Sequence, residues 1–202
     1  MLFSFDQLNG NQRYHLITQT ITPRPIAWIM TKNLAGSYNL APFSYFAALS
    51  SDPALLVVSI GNKDQDTAKD TKLNLLRDKE CVLHIPSVEW AHAVNDSAAN
   101  LAYGESEIEK LGLSLCPFTE HFERLQEAKV ALHCRLYDVH NLGDSPTQAL
   151  YLEILSLHVD DDLITQQAQR TFIDNQKLNP LARLGGNDYA ELGENITIKR
   201  PN

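Results

Sequence analysis

A chain of 202 residues with 44% hydrophobic and 21% charged content can bury one sizeable core, and it is too apolar for extended disorder. Its 17 basic against 25 acidic residues give a net charge of -8, with Lys and Arg scattered, which excludes the concentrated basic surface that a nucleic acid needs. No apolar run approaches the roughly 20 residues of a membrane span.

In chain order, the opening MLFSFDQLNGNQRY has neither the charged start nor the apolar stretch of a signal peptide, so a soluble cytoplasmic protein is expected. Pro23-Arg24-Pro25 forces extended backbone, and PIAWIM has the length and β-branched content of a strand. Asn33 to Gly36 reads as a turn, and SYNLAPFSYFAAL as an irregular extended segment in which Asn39, Pro42 and Ser44 interrupt apolar residues. After the break at Ser51-Asp52-Pro53, ALLVVSI is a short continuous apolar run typical of a core strand.

The polar GNKDQDTAKD leads into DTKLNLLRD, a helix with Asp70 as N-cap candidate and with Leu73 and Leu76 on its apolar face and Leu75 beside them. CVLHIP reads as a strand and VEWAHAVNDSAA as a short helix opened near Ser87. Gly104 to Leu125 is loop-rich. AKVALHCRLYDV and ALYLEILSLHVDD alternate with the period of half-buried strands, joined by a hairpin through NLGDSPTQ. The tail from about residue 163 combines a helical QQAQRTFIDNQ with the Gly-rich LARLGGNDYAELGE. Strands dominate, which points to a mainly β, barrel-like single domain over 1–202 with a few short peripheral helices.

The signatures of nucleophile elbows, P-loops and zinc helices are absent, and Gly185-Gly186 does not follow a strand as a dinucleotide fingerprint would. The seven histidines and the three cysteines (Cys81, Cys116, Cys134) show no metal-ligand spacing; the cysteines read as buried thiols in a reducing compartment. No catalytic side chain and no metal ligand is therefore nominated, and the hard chemistry of an enzyme would have to come from a bound group. Lys69-Asp70-Thr71 at a helix start suits a phosphate, with free N–H groups, a hydroxyl and an ammonium; an ordinary capped helix on a solvated face fits the same residues. Arg24, between two prolines, is either pre-oriented for an anion or a surface arginine in a stiff linker.

ITPRPIAWIMT, a turn at Gly36, YNLAPFSYFAALSSDPALLVVSI and KDTKLN together resemble the flavin reductase-like family with an FMN-binding split barrel, flavoredoxin-type proteins included; PLARLGGNDY is similar to its C-terminal segment. The resemblance implies an antiparallel split β-barrel, a homodimer, and FMN held non-covalently near the dimer interface. It implies that Asn39, Ala41, Pro42, Phe43 and Ser44 line the isoalloxazine and ribityl chain, and that Lys69, Asp70 and Thr71, with Arg24 as an addition, receive the phosphate. The implied chemistry is hydride transfer from NADH or NADPH to FMN, then electron transfer to an acceptor or redox partner protein. Two alternatives stay open: an FMN-binding electron carrier without NAD(P)H activity, and a flavin-free dimeric interaction protein.

Overall fold

A computed structural model of the chain describes residues 1–64, 66–167 and 170–201. The chain opens with a helix that the sequence reading did not anticipate, α1 (Gly10–Thr20). Asn9 and Gln12 form a reciprocal cap, with side-chain oxygens accepting each other's backbone N–H at 2.9 and 3.0 Å. Only Thr18 of this helix is buried, so no apolar stripe announces it.

Strands β1 (Arg24–Pro25), β2 (Ala27–Lys32), β3 (Tyr38–Phe43), β4 (Phe46–Ser51) and β5 (Ala54–Ile60) follow, then helix α2 (Asp70–Asp78) and strand β6 (Glu80–His84). SYNLAPFSYFAAL is thus two strands with a break at Ser44 and Tyr45, and its irregularity continues as a register shift between Ala48 and Ser50. Beyond β6 come α3 (Ala91–Asp96), α4 (Glu107–Leu111), a small hairpin of β7 (Leu115–Pro117) and β8 (Glu123–Leu125), and the long hairpin of β9 (Val130–Asn141) and β10 (Gln148–Val159). The expected tail helix is instead a hairpin of β11 (Ile164–Gln167) and β12 (Arg170–Ile173), between which Ala168 and Gln169 lie outside the described residues. Helix α5 (Asn175–Leu178) and the short strands β13 (Ala182–Arg183) and β14 (Tyr189–Ala190) complete the set.

Seven strands pair antiparallel in the order β3-β2-β6-β9-β10-β5-β4. Six inter-strand spacings would set the outer strands of a flat sheet about 29 Å apart. Yet β3 and β4, at opposite ends of the order, are joined through Ser44 and Tyr45 alone, a reach of at most about 11 Å. The sheet must therefore curl into a barrel left open between β3 and β4.

Inside pack Ile29, Leu56, Val58, Leu83, Leu132 and Leu150. Outside, Trp28, Met30, Val82 and Val94 form a second core under α3, α4 and the β7–β8 hairpin. Buried on both faces, β2 is a continuous apolar run rather than an alternating one. The Trp28 indole N–H donates to Ser97 Oγ at 2.9 Å, which ties α3 to the barrel.

Two expectations for α2 are corrected. The N-cap is Lys69, and Asp70 is already helical, with no side-chain cap bond. The face turned to the barrel carries Thr71, Asn74 and Leu75, while Leu73 is 40% exposed. Polar side chains can occupy that face because they bond to one another there. Cys81 and Cys134 are buried, but Cys116 is only half-buried. Among the described residues no helix is long and apolar enough to cross a membrane.

Candidate functional site

Strand β3 has one side hydrogen-bonded to β2 and the other facing outward. Its outer side is held by α4: Leu40 N–H donates to Glu107 Oε2 at 2.8 Å, and Ser106 Oγ–H donates to the Tyr38 carbonyl at 2.6 Å. Backbone groups alternate sides along a strand. Since Leu40 N–H points out, the missing N–H of Pro42 lies on the same outer side, and Pro42 removes no ladder bond from its pairing with Trp28. Past Leu40 this edge offers carbonyls and an unobstructed pyrrolidine face.

The start of α2 lies beside this edge. The first helical acceptor is the Lys69 carbonyl, which takes Leu73 N–H at 3.1 Å. The N–H groups of Asp70, Thr71 and Lys72 therefore have no partner within the helix. Thr71, 1% exposed, accepts from Asn39 Nδ2 at 2.9 Å. A hydroxyl has a single proton. Thr71 donates it to none of the described residues.

Behind Thr71 stands a buried amide and hydroxyl chain. Asn39 Nδ2 also reaches Thr31 Oγ1 at 3.3 Å, and Asn74 Nδ2 donates to Thr31 Oγ1 and Asn33 Oδ1, both at 3.1 Å. Thr31, Asn33 and Asn74 were not singled out from the sequence. Each is an ordinary polar residue in its own element, and only the pairing of β2, β3 and α2 makes them one network.

Charge at this place is arranged in pairs. Lys63 Nζ contacts Asp70 Oδ1 at 2.5 Å and donates to the Leu101 carbonyl, so the acid beside the helix start is neutralised. Lys69, by contrast, forms no ion pair among the described residues. Its Nζ lies 5.7 Å from the centre of the Phe43 ring. Burial, and secondarily the charge of Lys63, push the Lys69 ammonium below its usual pKa. Burial, followed by the charge of Asp70, pushes Glu107 up, partly offset by the Leu40 hydrogen bond.

Asn39, Ala41, Pro42, Lys69, Asp70 and Thr71 converge on one cavity of about 50 Å³, closed by residues 97–101 and Glu107. Pro42, Phe43 and Ser44 continue into a recess of about 200 Å³ that also touches Val94, Asn95 and Tyr189. The expected residues thus form a continuous wall, with one exception. Arg24 stands apart from Lys69 and Thr71 beyond Ser44. Its guanidinium donates to the carbonyls of Thr18, Ile21 and Leu184 at 2.6, 2.8 and 2.8 Å, and Nε to Ser44 Oγ at 3.4 Å. Lys63 and Glu107 are the site residues that the sequence did not disclose; one sits in a polar loop and the other on a five-residue helix in the loop-rich stretch.

Comparison with known proteins adds to this geometry. The model of the flavin reductase like domain matches residues 19–176. The uncharacterized protein YwrF of Bacillus subtilis (strain 168) is 34% identical over 208 residues, covering 99% of this chain and 98% of the relative. A crystal structure of nitrilotriacetate monooxygenase component B from Bacillus cereus superposes with a TM-score of 0.88 at 30% identity, covering 98% of each chain. That of the Pseudomonas fluorescens 2-nitrobenzoate 2-nitroreductase NbaA also gives 0.88, at 26% identity, with coverage of 100% of this chain and 96% of the other.

Proposed function

The chain belongs to the flavin reductase like family and has its split-barrel fold, and from that premise we propose that it binds FMN and acts as an NAD(P)H-dependent oxidoreductase. The observation that carries this reading is the unspent donor set at the start of α2. Free N–H groups, the Thr71 hydroxyl proton and the Lys69 ammonium, without an ion-pair partner among the described residues, suit a phosphate monoester, the one dianionic end of FMN. The β3 edge from Asn39 to Ser44 then runs on from the phosphate end toward the wider recess, where a flat ring with imide and carbonyl edges fits small side chains and exposed backbone.

Bound there, FMN would supply the redox chemistry, hydride acceptance from a reduced nicotinamide and electron delivery to an acceptor. The chain's own residues bind and orient. Asn39 holds the Thr71 oxygen as acceptor so that its proton faces the cavity, and Lys63 removes the repulsion that Asp70 would exert on a phosphate. No side-chain acid or base is assigned to the hydride step.

The remainder of the reading concerns assembly. An apolar recess of about 500 Å³, walled by Ile21, Pro23, Pro25, Tyr45, Phe46 and Val57, is assigned to a second copy of the chain. The tail pairs β13 with β1, which supports reading the chain as one domain over 1–202; the cytoplasm is proposed as its location.

A visible spectrum of the purified protein, before and after anaerobic addition of NADH and NADPH, tests the function. The expected result is an oxidised flavin spectrum that bleaches with one of the two. A flavin that stays oxidised with both but accepts electrons from a protein donor would make the chain an electron carrier. A colourless protein that does not quench FMN fluorescence would remove flavin from the account.

A further inference from the structure

Arg24 and Arg183 are direct cross-strand partners in the two-residue pairing of β1 with β13. Side chains directly opposite across antiparallel strands share a face, and like charges there repel. Neither guanidinium forms an ion pair with a carboxylate among the described residues, although the chain carries 25 acidic side chains. Arg24 is only 7% exposed, so little water screens its charge.

The two arginines line a recess of about 180 Å³ with Tyr14, His15 and Ser44, and no carboxylate side chain contributes to its wall. Tyr14, Ser44 and Arg183 also line the 200 Å³ recess along Pro42 and Phe43, which is likewise free of carboxylates. The 180 Å³ space is below the roughly 300 Å³ of a whole small-molecule site, which suits the charged end of a ligand whose ring lies over the neighbouring recess.

Donor arithmetic identifies which arginine is available. A guanidinium carries five N–H donors. Arg24 spends four, three on carbonyls and one on Ser44 Oγ. Arg183 spends two, on the carbonyls of Asp188 at 2.7 Å and Gly186 at 2.6 Å, and lies 4.5 Å over the Tyr189 ring. Its three remaining donors suit a carboxylate or a phosphate oxygen pair.

We propose that the Arg24–Arg183 pair is an anion site, distinct from the Lys69–Thr71 site, which takes the carboxylate or phosphate of the small planar molecule that exchanges electrons at the Pro42–Ser44 wall. The role of that molecule rests on the proposed flavin function; the anion site itself does not. The shared chemistry has two sources, the diphosphate of a nicotinamide dinucleotide and the carboxylate of an aromatic acceptor.

The test is titration of the FMN-saturated protein with pyrophosphate and, separately, with benzoate, read by calorimetry, for the wild type, Arg183→Gln and Arg183→Lys. At least one anion binds the wild type, binding weakens about ten- to hundredfold in Arg183→Gln, and Arg183→Lys retains most of it, each protein being saturated with FMN at its own measured affinity. Preference for pyrophosphate assigns the site to the dinucleotide, and preference for benzoate to the acceptor. Absence of binding by either anion overturns the proposal, as does equal affinity in wild type and Arg183→Gln. Equal losses in Arg183→Gln and Arg183→Lys overturn it too, because the carbonyl contacts rather than the charge would then be responsible. If FMN itself fails to bind, the flavin function falls, and the same anion titrations without FMN still judge the arginine pair.

Discussion

Thr71 shows how one hydrogen bond fixes the direction of another. By accepting from Asn39 at 2.9 Å it uses a lone pair, leaving the hydroxyl proton for a ligand. Thr71→Val keeps the shape and removes the proton, and FMN affinity should fall about tenfold. Lys69→Ala removes a charge-assisted contact, and the loss should be about ten- to hundredfold. Quenching of flavin fluorescence on titration measures both, and unchanged affinity in either variant would show that the phosphate is held elsewhere. Lys69 lies close enough to the Phe43 ring to hold its ammonium toward the cavity rather than in solvent.

At the scale of elements, β6 is joined to its neighbours by a side chain as well as by ladder bonds. His84 is fully buried; its Nδ1 meets the Trp28 carbonyl at 3.2 Å, and its Nε2 accepts Leu125 N–H at 3.1 Å. That pattern requires the neutral ring with its proton on Nδ1, since a proton on Nε2 would face another N–H. Burial lowers the His84 pKa from 6.5 to about 4, against the raising effect of the Trp28 carbonyl. A depressed folded-state pKa means stability that is fully present above pH 6.5 and is lost as pH falls toward about 4, by about 3 kcal/mol. Denaturant unfolding of wild type and His84→Gln across that window should show a steeper loss in the wild type, and parallel profiles would refute it. Reading elements from the sequence worked where burial imposes a period: β5, β9 and β10 stand as expected because apolar residues must face the core. It failed where polar groups do the packing. Helix α1 is marked by a cap rather than a stripe, α2 buries Thr71 and Asn74 in place of Leu73, and Ile164–Gln167 and Arg170–Ile173 pair with each other in an exposed hairpin that has helix-compatible composition. The expected wall from Asn39 to Ser44 and at Lys69–Thr71 was legible because a family pattern occupies contiguous residues. Lys63 and Glu107 reach it from distant segments with no local signal to mark them, and Arg183, though inside the quoted PLARLGGNDY, has no charge partner in sequence that would announce its role.

At the scale of the molecule, the apolar recess around Phe46 and Val57 is the surface proposed for a second copy. Sedimentation should therefore give twice the 22.7 kDa chain mass. Ala47→Glu places a charge on the exposed wall of that recess and should return the monomer mass; a dimer that persists in this variant would move the interface elsewhere. The split between β3 and β4 exposes the outer side of β3, and an exposed strand edge templates the addition of a foreign strand. Here the edge cannot serve as a template. Glu107 occupies the Leu40 N–H, Ser106 the Tyr38 carbonyl, and Pro42 has no N–H to give, so an incoming chain would find no run of alternating donors and acceptors. The proline proposed to clear space for a ligand thus also denies a foreign strand its donor, and the proposed site and the guarded edge share the same few atoms.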